Sequence, residues 1–446
     1  MIEEIATRAA SLSFNDLSDG AKERLTLCLL ANLSVGIAGV PYCVLPEPAA
    51  SRGRYRLLSG GMASDARAAS FWNAAVMHAR TQDDFHPVGN LHVGTVVLPA
   101  LLAVADEMPM SGREFLEALA VGYMVAVGMS RAFSSRTTPR GVRSTGYYAP
   151  FGATAAVARA RGLDAGRIAS ALALTTVFAA GTTQAWIDGS DEWQLHPAHG
   201  SESAHRAVEL ALAGVRGGKH ALDGKAGFYH ALLGEDVTFE EIAGDFDPSV
   251  AIEESVIKRF PVSGICQAVV LAAERAAQKM GDPGNVARIL VEMNAFEMRY
   301  PGTQNSGPVF RSFGDRLMSA PFCTAAVLSR GRLSFDDFHG AANGMCDALV
   351  AKVSLREDTA LPLLSARTTV HMTDGKSIVE EVLNSRDQVR IDWQTVTPWG
   401  VDLWAQAGRG EADFRASYDA VRDLASSPTL DLGPWHEPQR RTAKAG

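Results

Sequence analysis

The 446 residues are 47% hydrophobic and 21% charged, with 41 glycines and 20 prolines, which excludes a chain that is disordered over most of its length. A formal net charge of −8 argues against nucleic acid as the main partner, because such binding needs a concentrated basic surface. The scattered Cys28, Cys43, Cys266, Cys323 and Cys346 form no CxxC pair, the longest apolar run (Thr95 to Ala105) is too short to span a bilayer, and the acidic Met1-Ile2-Glu3-Glu4 start is no leader; the expectation is a cytoplasmic protein without disulfides, membrane spans or nucleic-acid partners.

In chain order, Leu25 to Val35 is apolar at helical spacing behind the cap candidates Ser18-Asp19. Asp65 to Ala79 is Ala-rich, and Val96 to Met108 is an apolar helix introduced by Gly94-Thr95. Ser111 and Glu114 form a capping box ahead of Phe115 to Ala132. Gly152 to Arg161 and Asp164 to Ala179 are almost free of charge and are expected to be buried on most faces; Ser201 to Val215 follows. The pattern changes near residue 260. Gly264 to Met280 is one more helix, Ala287 to Met293 a strand and Leu317 to Arg330 a helix. Arg367 to Met372 and Lys376 to Val382 alternate around Thr373-Asp374-Gly375 as a hairpin, with Val353 to Arg356 as a third strand candidate. Ala412 to Leu424 is a final amphipathic helix before a polar tail, 434–446, expected to fray. The predicted fold class is mainly α: a large all-helical domain over 1–262, a smaller α+β domain over 263–395, and a C-terminal segment, 396–446, whose helix returns to the helical domain.

The phosphate loop, the GxSxG elbow, HExxH and a strand-borne GxGxxG are absent from the sequence. Polar residues gather instead in breaks between apolar helices, where a rigid scaffold presents functional groups. The first cluster, His78-Ala79-Arg80-Thr81-Gln82-Asp83-Asp84-Phe85-His86 through His92, holds three of the 11 histidines. Composition alone fits a solvated, helix-capping loop equally well; Asp83, Asp84, His86 and His92 match no metal-ligand spacing. The second, Arg140 to Pro150, sets Arg143 beside Tyr147 and Tyr148; arginine forks suit carboxylates and a tyrosine hydroxyl can pass a proton, although such tyrosines are more often core aromatics. The third, Asp188 to Gly200, carries Gln194, His196 and His199, and the fourth is Lys258-Arg259-Phe260-Pro261 at the domain change. A lysine there gains chemistry only if it turns into a cleft.

These clusters, in this order, resemble the MmgE/PrpD family over about residues 5 to 430. The anchors are His78 to Asp84 with His92 and Val96-Val97-Leu98-Pro99-Ala100-Leu101-Leu102, Gly122 to Ala126, Gly152 to Asp164, Gly224 to Phe228, and Lys258 to Pro261. The resemblance implies a helical domain plus a small α+β domain, a homodimer, and a site in the cleft between domains, in a family that includes 2-methylcitrate dehydratase, cis-aconitate decarboxylase and iminodisuccinate epimerase. Thr81 stands where the dehydratases and decarboxylases carry the first Asp of DxDD, and Phe85 where they carry a Thr. Gly146-Tyr147-Tyr148 lacks the family histidine, Gln194 (behind Trp193) replaces a lysine, and Phe322 replaces a tyrosine. His92 and Lys258 are retained.

A lyase must handle a leaving group as well as a carbanion, whereas an epimerase moves one proton. The depleted acid/base set therefore points to an epimerase, acting without cofactor or metal on a small acidic substrate such as iminodisuccinate. Lys258, Tyr147, Tyr148 and His92 are the expected proton-transfer groups. Arg80, Thr81, Asp84, His86, Arg143, Gln194 and His199 are expected to bind substrate. A dehydratase or decarboxylase of a tricarboxylate-like substrate and a non-catalytic carboxylate-binding family member are the alternatives.

Overall fold

A computed structural model describes residues 1–48, 52–307, 309–339 and 344–436. The chain folds into two compact units: 1–182, 194–257 and 392–446 form the first, and 183–193 with 258–391 form the second. Relative to the divisions expected from sequence, the second unit takes up the short 183–193 segment and begins at Lys258, and the residues after 391 join the first unit. From residue 437 on, the polar tail lies outside the described residues.

The first unit is helical, with one two-stranded ribbon, β1 (Tyr55–Arg56) against β2 (Met62–Ala63). The helices Ala66–His78, Gly94–Glu107, Gly112–Ser130, Ser144–Ala160 and Leu195–Leu212 pack on one another to make its core. The caps anticipated from sequence are in place: Ser18 accepts from the Ala21 N–H, and Ser111 and Glu114 close a capping box; Asp65, expected inside its helix, caps it by accepting from the Ala68 N–H. The Asp19–Gly39 helix is longer and more continuously apolar than its polar interruptions suggest. With its terminal turn, Asp19–Tyr42 is long and apolar enough to cross a membrane by composition, and 83% of that apolar window is buried inside the protein. Its interruptions are satisfied locally: the Thr26 and Ser34 hydroxyls donate to the carbonyls of Lys22 and Leu30, four residues back.

Two expectations need correction here. Tyr147 and Tyr148 lie inside the Ser144–Ala160 helix and not ahead of it, although Pro150 stands in that helix. The Ala165–Thr175 helix is not enclosed on most faces; it buries Ile168, Ala171, Leu172, Ala173 and Thr175 and leaves Gly166 and the charged Arg167 exposed on its other side. The Val396–Gln406 and Glu411–Arg422 helices both pack on Asp19–Gly39 within the first unit.

The second unit is α+β. Its sheet runs β4–β3–β5–β6, where β3 is Val286–Met293, β4 Val353–Glu357, β5 Ala366–Met372 and β6 Ser377–Val382. β3 pairs parallel with β4 and antiparallel with β5, and β5 pairs antiparallel with β6. The β5–β6 hairpin turns at Gly375, whose φ of 88° is open to glycine at little cost. The Gln267–Lys279 helix lies against β5 and β6, and Ala320–Arg330 against β4. The single helix expected over 317–330 is broken at Ser319, whose side chain caps the second piece by accepting from the Phe322 N–H.

Candidate functional site

The His78 to His92 cluster spans the gap between the Ala66–His78 and Gly94–Glu107 helices. Its middle is extended: Phe85 and Val256 exchange backbone hydrogen bonds of 2.9 and 2.8 Å. Asp83 lies in a bend just before this bridge, and it and Asp84 make different contacts.

Asp84 faces the helical core. Its Oδ1 accepts from the Asn32 amide at 3.0 Å and from the Gly94 N–H at 3.1 Å, and its Oδ2 accepts a short hydrogen bond from the Tyr123 hydroxyl. The Asp84 backbone N–H in turn donates to Asn32 Oδ1 at 3.3 Å. Burial raises the Asp84 pKa to about 6, against the opposing hydrogen bonds from Tyr123 and Asn32. A Cβ on Gly94 would stand 2.2 Å from the Asn32 amide nitrogen, so glycine is needed there for the close approach. Asp84, expected among substrate-binding residues, thus fastens the first turn of a helix, where a carboxylate also meets the positive end of the helix dipole.

Asp83, absent from the expected site residues, joins two histidines. Its Oδ2 lies 3.0 Å from Nδ1 of His78 and 3.0 Å from Nδ1 of His92. The His92 Nδ1 also lies 3.1 Å from the Asp84 carbonyl oxygen, which can only accept, so this nitrogen carries the proton. The His78 Nε2 lies 3.4 Å from the Arg143 guanidinium, which can only donate, so the His78 proton is on Nδ1 as well. Both rings then donate to Asp83, and the lone pair of His92 sits on Nε2. The His78 and Asp83 side chains are fully buried, whereas His92 keeps 12% of its surface. The two rings meet edge-on with centroids 4.7 Å apart, and the His92 backbone N–H donates to Thr145 Oγ1 at 3.1 Å.

His78, Asp83 and His92 also offer three ligand atoms within 4.8 Å of one another, a set that suits a divalent metal in number and type. The proton assignments place N–H bonds where such a metal needs lone pairs, so the arrangement fits a hydrogen-bonded relay better.

The remaining expected residues fall into two groups. Arg80 and Thr81 are buried in the same loop, Arg80 stacking 5.7 Å from the Tyr42 ring and Thr81 holding a φ of 48°. Arg143 stands at the start of its helix, its N–H donating to the Gly181 carbonyl at 3.2 Å. For His86, Tyr148, Gln194 and His199 the side-chain hydrogen bonds lead to other partners. His86 accepts from the Gly89 N–H at 2.9 Å on Nδ1 and faces Glu254 at 3.3 Å on Nε2. The buried Tyr148 meets the Thr137 hydroxyl at 3.1 Å, and burial raises its pKa to about 12; Tyr147 is half-buried 6.4 Å from the Phe228 ring. Gln194 accepts from the Val44 N–H at 3.2 Å. Both His199 nitrogens are used, by Glu202 at 3.3 Å and the Phe178 carbonyl at 3.1 Å. Lys258 is fully buried and belongs to the second unit.

His78 and Asp83 carried a usable signal in the sequence, a helix-terminal histidine followed by adjacent carboxylates, but not which of the two carboxylates turns toward it.

Residues 3–240 match the MmgE/PrpD N-terminal domain and residues 260–389 the MmgE/PrpD C-terminal domain. A cis-aconitate decarboxylase-like protein of Aspergillus oryzae is 23% identical over 90% of this chain and 91% of its own. Mouse cis-aconitate decarboxylase is 28% identical over 85% and 81%, and the human enzyme 31% identical over 36% and 34%. With both domains matched in order across the helical unit and the sheet-containing unit, the chain belongs to the MmgE/PrpD family.

Proposed function

We propose that the protein is a cofactor-independent enzyme that moves a proton at the carbon α to a carboxylate of a small polycarboxylate, as an epimerase of an amino-polycarboxylate such as iminodisuccinate. The observation that carries this reading is Asp83 holding His92 by Nδ1, which orients the imidazole and puts its basic nitrogen, the one suited to proton abstraction, at Nε2. As His92 takes the proton, the Asp83 carboxylate stabilises the imidazolium, and the charge growing on the substrate carboxylate meets a guanidinium, Arg143. Inversion needs a second group to return the proton on the opposite face; Lys258 and Tyr147 enter the proposal for that step on the resemblance. The depleted leaving-group machinery, with Thr81, Gln194 and Phe322 in place of family acid/base residues, supports an isomerase.

The names of the relatives favour a second reading, a lyase acting on a tricarboxylate-like substrate. Incubation with iminodisuccinate and with cis-aconitate in D₂O separates the two. An epimerase returns product of the substrate's own constitution with deuterium at the α-carbon, and a decarboxylase returns product lighter by carbon dioxide. Deuterium-free epimer sinks the proton-transfer scheme, and carbon dioxide release establishes the lyase.

A further inference from the structure

His196, in the first turn of the Leu195–Leu212 helix, belongs to none of the roles above. Its ring is half-buried, and its Nδ1 is enclosed without a hydrogen-bond partner among the described residues. The ring packs on Gly181, where a Cβ would come within 2.9 Å of Cδ2; Gly181 has a φ of 118°, so the position is closed to other residues on two counts. The same loop is tied to the start of the Ser144–Ala160 helix, for the Gly181 carbonyl accepts from the Arg143 backbone N–H at 3.2 Å and the Ala180 N–H donates to the Gly146 carbonyl at 3.1 Å. His196 is therefore seated between the Gly181 loop and Gly146, at the start of the Ser144–Ala160 helix that Arg143 opens.

A buried N–H without an acceptor costs more than a buried lone pair without a donor. The proton then belongs on Nε2. We propose that His196 is a third imidazole of the site, a neutral Nε2–H donor that binds and orients a substrate carboxylate next to Arg143. This rests on the functional reading above and names a residue that binds the acidic group without moving the α-proton. Burial, reinforced by Arg143 and His78, lowers its pKa to about 3, so the ring is an uncharged donor throughout the neutral range.

Citrate, cis-aconitate and iminodisuccinate serve as probes for calorimetric titration of the whole protein. In His196→Phe, affinity for the probe that wild type binds best falls about tenfold or more, the loss expected for one hydrogen bond to a charged group. His196→Gln, whose amide N–H replaces Nε2–H, stays within about threefold of wild type on the same grounds, and KM rises in the Phe variant more than kcat falls. Unchanged affinity in the Phe variant overturns the assignment while leaving the functional reading intact. Wild type binding none of the three probes overturns both. Independent of any variant, ¹⁵N shifts of the His196 ring in the wild-type protein show a neutral Nε2–H tautomer from pH 5 to 8; an Nδ1–H tautomer or a charged ring overturns the proposal.

Discussion

Asp83 and Asp84 are adjacent, both buried, and engaged by different partners. Asp83 accepts from two imidazoles and Asp84 from an amide, a backbone N–H and a phenol. Substituting each should separate chemistry from stability. Asp83→Asn keeps an oxygen for the two rings and loses the charge that supports an imidazolium; turnover should fall by about 10²–10⁴ with the melting temperature nearly unchanged. Full activity in that variant removes the relay. Asp84→Ala strands Asn32 and Tyr123 in the core, at about 1–3 kcal/mol for each unpaired group, and chemical denaturation should show that loss. Exhaustive chelation should leave wild-type activity intact, since the His78 and His92 Nδ1 atoms carry protons; activity restored only by a divalent metal would convert the relay into a metal site.

At the scale of elements, the Ser144–Ala160 helix shows why a break in the sequence pattern misleads. Pro150 has no N–H to give to the Gly146 carbonyl four residues back, and that carbonyl accepts from Ala180 instead. What reads as a helix breaker is the place where a helix takes up a loop. A Cβ on Gly146 would stand 2.0 Å from the Ala180 oxygen, so Gly146→Ala should cost about 1–3 kcal/mol, as overpacking does, and equilibrium unfolding reads it. A cost near zero would mean that the loop yields easily. Helix positions, caps and the hairpin were legible because periodicity and capping are local. The four polar clusters were legible too, as breaks in apolar pattern. Which ring nitrogen is occupied was not: His199 and His196 lie three apart on one helix, yet the first has both nitrogens engaged and the second has an unpartnered Nδ1 among the described residues. That difference depends on Phe178 and Gly181, which lie past the end of the Ala165–Thr175 helix, a helix that the sequence pattern extends to Ala179.

Stability of the whole molecule against pH follows from carboxyls and imidazoles buried with incomplete compensation. Glu297, in the second unit, is nearly fully buried; its Oε1 accepts from the Leu364 N–H at 2.9 Å and its Oε2 has no partner among the described residues. Burial raises its pKa from 4.5 to about 8, against the hydrogen bond from Leu364. A carboxyl whose folded pKa lies above its unfolded value holds its proton more tightly when folded. Its stabilising effect is complete below about pH 4.5 and is lost as pH climbs toward 8. Asp84 acts in the same sense between 3.8 and about 6. His196 and His205 act oppositely: burial lowers both pKa values from 6.5 to about 3, so stability falls as pH drops through that interval. Because these effects overlap, the Glu297 contribution is isolated by difference. Glu297→Gln keeps the acceptor for Leu364 and cannot ionise. Its melting temperature should match wild type near pH 5 and exceed it progressively from pH 6 to pH 9. A difference that stays constant across that range would mean that Glu297 titrates alike in the folded and unfolded chain, and that some other group sets the alkaline limit.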